Sequence, residues 1–194
     1  MRLEEALNIL VSVVTISIAF AIAWTGNTSF DSRFADTFLL ILVTVGAGFI
    51  LHELAHRYVA RQYGAHAEYQ TWTLGLVLAV AMALLAGFVF AAPGAVYIYA
   101  NRKLPPEAYG RIALAGPLTN AALALIFIAI GFAFPALSGL AYTGASVNAF
   151  LGLFNLIPVF PMDGQKVWAW SKSSWLSAAA ALGLLVLFSS SFFG

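Results

Sequence analysis

The sequence predicts an all-α polytopic membrane protein of about six transmembrane helices, with a short membrane-embedded extended, β-like segment. Three observations carry that expectation. Of 194 residues, 62% are hydrophobic and only 9% are charged, where a soluble domain carries roughly 25% charged residues. The mean hydropathy is +0.91. The apolar residues fall into runs long enough to cross a bilayer, for which about 20 residues suffice, and the polar stretches between them are short. No linker, low-complexity tract or internal repeat divides the chain, so residues 1–194 are expected to form a single integral-membrane domain. A net charge of +1 argues against nucleic acid as a partner. With no cysteine, disulfides and thiolate ligands are excluded, so a metal would have to be held by His, Asp, Glu or other oxygen ligands.

The first apolar run, about Leu7 to Trp24, follows Met1-Arg2-Leu3-Glu4-Glu5 without a small-residue cleavage site, and is read as a retained helix. A polar loop from Thr25 to Arg33, with Gly26, Asn27 and Asp31, leads to a second segment from about Phe34 to Tyr63. Gly64 is the expected stop. The third run, Trp72 to about Phe90, meets Pro93-Gly94, which breaks a helix, and then Ala95-Val96-Tyr97-Ile98-Tyr99, whose β-formers favour an extended chain. About 19 helical residues rise roughly 29 Å and ten extended ones roughly 33 Å. A helix inward and a strand back would therefore join two ends on one side of the membrane. Non-helical backbone at that depth must be buried in protein or line a cavity, so residues 92 to 100 become a candidate wall of a site, with an ordinary external loop as the competing reading. A fourth span is expected from about Tyr109 to Phe134, containing Gly116-Pro117-Leu118-Thr119-Asn120. A turn over Pro135 to Thr143, a fifth segment from Gly144 to Ile157 and a last one from Ser174 to Phe193 complete the chain.

This arrangement fixes an orientation. With residues 69 to 101 re-entrant, Arg2, Arg57, Arg61, Arg102, Lys103, Arg111, Lys166 and Lys172 share one face and only Arg33 takes the other. The positive-inside rule makes the crowded face, and with it the N-terminus, cytoplasmic.

The chemistry centres on Leu51-His52-Glu53-Leu54-Ala55-His56-Arg57, a His-Glu-x-x-His pattern inside the second apolar segment. Positions i and i+4 share a helix face, so His52 and His56 can address one ion, with Glu53 beside them as a base. Ionisable groups are costly in hydrocarbon and usually mark function there. From His52 to Arg61 the helix rises about 14 Å, which sets the site inside the bilayer on the cytoplasmic side. A catalytic zinc needs a third protein ligand and an open position. His66 lies beyond the helix stop among charges, Asp36 starts the second segment at the far side, and Glu68 and Glu107 sit among interfacial charges. Asp163 ends a segment, residues 112–162, that contains no Asp, Glu, Lys, Arg or His, and it is the expected third ligand, with a helix N-cap or a solvated interfacial Asp as the competing reading. Asn155, an amide in an apolar segment, is a candidate donor to a tetrahedral intermediate, or else an interhelical hydrogen-bonding group. Asn120, beside Gly116-Pro117, reads as a packing residue that holds a neighbouring helix.

Three elements together, His52-Glu53-Leu54-Ala55-His56, Gly116-Pro117-Leu118-Thr119-Asn120 and Asn155-Leu156-Ile157-Pro158-Val159-Phe160-Pro161-Met162-Asp163-Gly164, resemble the site-2 protease family of intramembrane zinc metalloproteases, in family order. The resemblance puts the family core at about 36–170. It implies one Zn2+ per chain on His52, His56 and Asp163, Glu53 as general base, and Asn155 as a group that binds substrate or intermediate. It further implies transmembrane-helix protein substrates, partly unwound and cut within the bilayer. The stretch around Gly94 and Val96 would resemble the family's membrane-embedded strand, which could bind substrate by strand addition. The alternative is a relative that binds metal or substrate without proteolysis. Oligomeric state is not legible in the chain.

Overall fold

A computed structural model describes residues 3–26, 31–89, 93–100 and 103–193. Arg2, Asn27 and Arg102, and the junction at 90–92 where the third segment was expected to end, lie outside the described residues.

Eight helices and two strands follow one another as α1 (Leu3–Thr25), α2 (Ser32–Ile41), α3 (Ala47–Gln62), β1 (His66–Thr71), α4 (Thr73–Ala86), β2 (Gly94–Tyr99), α5 (Pro106–Ala133), α6 (Ser138–Asn155), α7 (Asp163–Trp170) and α8 (Lys172–Phe193). A π-helical turn, Leu42–Gly46, joins α2 to α3 into one rod. Among the described residues five helical stretches are long and apolar enough to cross a membrane: α1, the 31-residue rod from α2 through α3, α5, α6 with the 3-10 turn before it, and α8. The chain is an integral membrane protein, mostly helical, with a two-stranded sheet of β1 and β2.

The chain divides into two compact units. The first comprises Met1–Ile50 and Glu68–Tyr97. Its helices α1 and α4 approach closely because the facing positions are small: Ala19, Ala79 and Ala83 are buried together with Ile22 and Phe34. Asp31 caps α2 by accepting the Phe34 N–H at 2.9 Å. Tyr69 of β1 is buried, and its hydroxyl donates to Ser12 Oγ of α1 at 2.8 Å. Gly94 opens β2 where no side chain fits, since a Cβ would strike the Gln70 carbonyl and the Tyr69 ring.

The second unit comprises Leu51–Ala67 and Ile98–Gly194. Its frame is α5, which packs on α6, α7 and α8. Ala113, Leu156, Val167, Ala178 and Leu182 bury one apolar cluster among these helices. Phe127 packs face-on to Gly144, where a Cβ would collide with its ring.

Several boundaries differ from the sequence expectation, each for a local reason. The third segment ends at Ala86 because Gly87 takes the left-handed conformation, φ +68°, that terminates a helix. At 14 residues, α4 is shorter than the other apolar helices. The stretch expected as a turn, Pro135 to Thr143, needs only the 3-10 turn Pro135–Leu137. From Ser138 the chain is already helical, which lets Ala141 and Thr143 bury. Helix α5 runs unbroken through Gly116-Pro117, and α7 is a helix of eight residues that apolar periodicity is too short to reveal. Gly64 stops α3 as expected: its φ is +71°, and the Ala65 N–H returns to the Ala60 carbonyl at 3.1 Å.

Candidate metal centre

The groups of the centre all belong to the second unit. Because α3 is helical through the motif, His52 and His56 fall on one face, and their ring centroids are 4.6 Å apart. Both are buried, as are Glu53 and Asp163. His56 Nδ1 donates to the Ile112 carbonyl of α5 at 2.7 Å, and His52 Nδ1 faces Asn120 Oδ1 at 2.5 Å.

Asp163 reaches the same point by a different route. After Asn155 the chain turns through Pro158 and a cis Phe160–Pro161 peptide, and α7 opens with Asp163. Gly164 sits against the Leu156 and Ile157 carbonyls, where any Cβ would collide, so glycine is what permits the loop to close. Trp175 of α8 satisfies the Leu156 carbonyl with an Nε1–H donation at 2.6 Å. The result places Asp163 Oδ2 3.3 Å from His52 Nε2 and 3.0 Å from His56 Nε2. Oδ1 looks the other way, toward Lys166 Nζ at 3.6 Å.

The chemistry of this donor set fits a cation. With both Nδ1 atoms directed at oxygen acceptors, neutral imidazoles present lone pairs at Nε2, toward a carboxylate oxygen that is also an acceptor. The three ligand atoms lie within 4.8 Å of one another. Zinc on nitrogen and carboxylate oxygen at about 2.0–2.2 Å in a tetrahedron would space its ligands roughly 3.3 Å apart, near the two Oδ2 separations. Gly116 of α5 makes room for this: a Cβ there would collide with Nε2 of both histidines. Glu53 adds a buried Oε2 that has no hydrogen-bond partner, and the ionisable groups that bear on its carboxylate are His52, Asp163 and Lys166.

Other sequence candidates stand apart. Among the described residues His52, His56 and Asp163 are the one such group of potential ligands. His66 and Asp36 are exposed, and Glu107 pairs with Arg111 at 2.8 Å in solvent-exposed positions. Asn155 is half-buried, and its Nδ2 donates within its own helix to the Leu151 carbonyl at 3.0 Å, so it is not bonded across helices by that group. Asn120, read from sequence as holding a neighbouring helix, does so by donating Nδ2–H to Asn148 Oδ1 of α6 at 3.0 Å, and its Oδ1 also faces a histidine of the cluster. Asn148 escapes the sequence reading, although a fully buried amide in an apolar helix is the same kind of signal as Asn155. Gly94 and Val96 lie half-buried on β2.

Comparison with known proteins agrees with this geometry. Residues 38–143 match the model of peptidase family M50, a match that includes the His-Glu-x-x-His motif and Asn120. The chain is 42% identical over 175 residues to a candidate zinc metalloprotease of Methanocaldococcus jannaschii, MJ0611, covering 89% of this chain and 87% of that one. It is 30% identical over 171 residues to the zinc metalloprotease MJ0392 of the same organism, covering 86% of this chain and 43% of that one. It is 37% identical over 128 residues to Rip3 of Mycobacterium tuberculosis, named as a candidate zinc metalloprotease, covering 62% of this chain and 28% of the other. The chain thus spans nearly all of the first relative and less than half of the other two. No solved structure matches it significantly. The chain belongs to peptidase family M50, the site-2 protease family of zinc metalloproteases.

Proposed function

We propose that this protein is an intramembrane zinc endopeptidase that hydrolyses peptide bonds within transmembrane segments of membrane-protein substrates. His52, His56 and Asp163 hold one zinc per chain, and Glu53 is the general base. The observation that supports this reading is the polarity of the centre. Three acceptor atoms converge, and the buried Glu53 carboxylate oxygen beside them lacks a partner. A purely structural ion would need the first feature and not the second.

When bound, zinc acidifies water and polarises a carbonyl oxygen. Glu53 accepts the proton of the attacking water and delivers it to the amide nitrogen as the carbon–nitrogen bond breaks, so the departing chain leaves as a neutral amine. Asn155 supplies an N–H donor to the oxyanion that develops on the carbonyl, its amide turning from the Leu151 carbonyl to do so. Among the described residues the sheet has two strands, β1 and β2, so β2 offers an edge to which a further strand can add. An unwound substrate segment would add to that edge along Gly94 to Tyr99, with Gly94 and Val96 against its backbone. The positive-inside count puts the N-terminus and the motif's end of the bundle on the cytoplasmic side of the cell membrane.

Purified protein incubated with a model transmembrane substrate tests the reading. Cleavage should be abolished by a chelator and restored by zinc. A protein that binds zinc stoichiometrically and cuts no transmembrane substrate would favour a non-proteolytic relative instead.

A further inference from the structure

The amide of Asn148 lies two hydrogen bonds from the metal centre and makes no contact with it that the proposed reaction uses. Its Nδ2 donates to the Gly144 carbonyl at 2.8 Å, one turn back on α6. Its Oδ1 accepts Asn120 Nδ2–H at 3.0 Å. Asn120 Oδ1 then faces His52 Nδ1. Asn120 and Asn148 are both buried, so water does not offer substitute partners.

The polarity of this chain follows from its far end. A backbone carbonyl only accepts, so Asn148 must turn Nδ2 to Gly144 and Oδ1 to Asn120. Asn120 must then answer with Nδ2 and present Oδ1 to the imidazole, which leaves Nδ1 of His52 as the obligatory donor. A flip of either amide would set oxygen against oxygen or N–H against N–H in a buried place, where an unsatisfied group is costly. His56 reaches the same state more simply, through the Ile112 carbonyl.

We propose that Asn148 is a positioning residue of the metal centre: through Asn120 it holds His52 as the Nδ1–H tautomer, with the Nε2 lone pair directed at the ion. The inference rests on the zinc reading above but not on proteolysis. An amide in this place also differs from the carboxylate that often backs a metal-bound histidine: it orients the ring without adding negative charge to a centre whose one anionic ligand is Asp163.

The test compares Asn148→Leu with Asn148→Asp in the full-length protein, reading zinc affinity by chelator competition and fold by circular dichroism. Leucine matches the volume and removes the polarity. Aspartate in its protonated form donates O–H to the Gly144 carbonyl and still accepts from Asn120. Zinc affinity should fall roughly 10- to 100-fold in Asn148→Leu and return to within about threefold of the parent in Asn148→Asp. A folded Asn148→Leu with parental affinity would overturn the proposal, as would equal losses in both variants, which would mark a packing role. Should the leucine variant fail to fold, 15N-histidine NMR of the unsubstituted protein decides: protonated Nδ1 on His52 supports the proposal and protonated Nε2 overturns it. If the affinity pattern holds while the protein cuts no substrate, the peptidase reading fails and this inference stands.

Discussion

Nε2 of His56 on α3 and Oδ2 of Asp163 on α7 lie 3.0 Å apart, both buried, in a chain where residues 112–162 carry no ionisable group of the Asp, Glu, Lys, Arg or His kind. Two groups that would each be costly alone in an apolar bundle are made tolerable by meeting. The loop between Asn155 and Asp163 makes them meet: its glycine seats against the Leu156 carbonyl, and α8 caps that carbonyl with Trp175.

Asp163→Ala therefore removes the proposed anionic ligand and leaves two imidazoles. Zinc measured by elemental analysis after purification should fall from about one ion per chain by tenfold or more in retained fraction at fixed chelator. Stoichiometric zinc in that variant would disprove the ligand assignment.

Glu53→Gln keeps shape and removes the proposed base. Since general-base catalysis contributes about 10²–10⁴-fold, cleavage should drop at least 100-fold while zinc content holds. The pairing of the two readouts matters, because a loss of both would move Glu53 from the proton transfer to the integrity of the site.

The first two proposed ligands are legible in the sequence because i and i+4 on a helix need no tertiary information. Asp163 is legible for an electrostatic reason: one carboxylate at the end of a long uncharged stretch has few explanations. What the sequence does not show is the polarity chain behind His52. Asn120 and Asn148 are 28 positions apart, and neither amide carries a spacing signal. Only the packing of α5 on α6 brings them together, so Asn120 reads as a packing residue. The fold follows the same division. Apolar run lengths locate the long helices and the β-formers after Pro93 locate β2. The early stop at Gly87 is obscured because apolar residues continue past it.

Trp175→Phe tests the loop that delivers Asp163. The Nε1–H to Leu156 carbonyl bond, 2.6 Å and partly buried, is lost together with part of the ring that packs on Trp168. A stability loss of about 1–3 kcal/mol is expected for a buried carbonyl left unpaired, with zinc affinity reduced alongside it, since the same carbonyl abuts Gly164. Thermal denaturation with and without zinc measures both. A stability loss with unchanged zinc affinity would show that the loop holds Asp163 without this bond.

The proposed orientation has a clean probe because the chain has no cysteine. A single Lys103→Cys substitution, ahead of α5, should react with a membrane-impermeant maleimide only after the cytoplasmic side is opened. Labelling from outside intact cells would overturn the re-entrant path between α3 and α5 and with it the charge count that oriented the chain.

Two glycines in the second unit give the sharpest contrast, because the same added methyl should act in opposite directions. At Gly183, inside α8, an added Cβ would meet nothing within 4 Å, so Gly183→Ala should be neutral or stabilise by up to about 1 kcal/mol through helix propensity. Gly116 lies inside α5 with the same helical propensity at stake, yet its Cβ would collide with Nε2 of both His52 and His56. Those rings cannot simply retreat, since His56 is tied to the Ile112 carbonyl and His52 to Asn120. Overpacking of this kind costs about 1–3 kcal/mol, and here the strain falls on the atoms that would bind the ion. Gly116→Ala should thus lose zinc affinity by at least tenfold even where the protein still folds, as read by chelator competition beside a thermal melt. Parental zinc affinity in a folded Gly116→Ala protein would mean that the two imidazoles do not converge over this glycine, and the metal centre would have to be sought elsewhere in the chain.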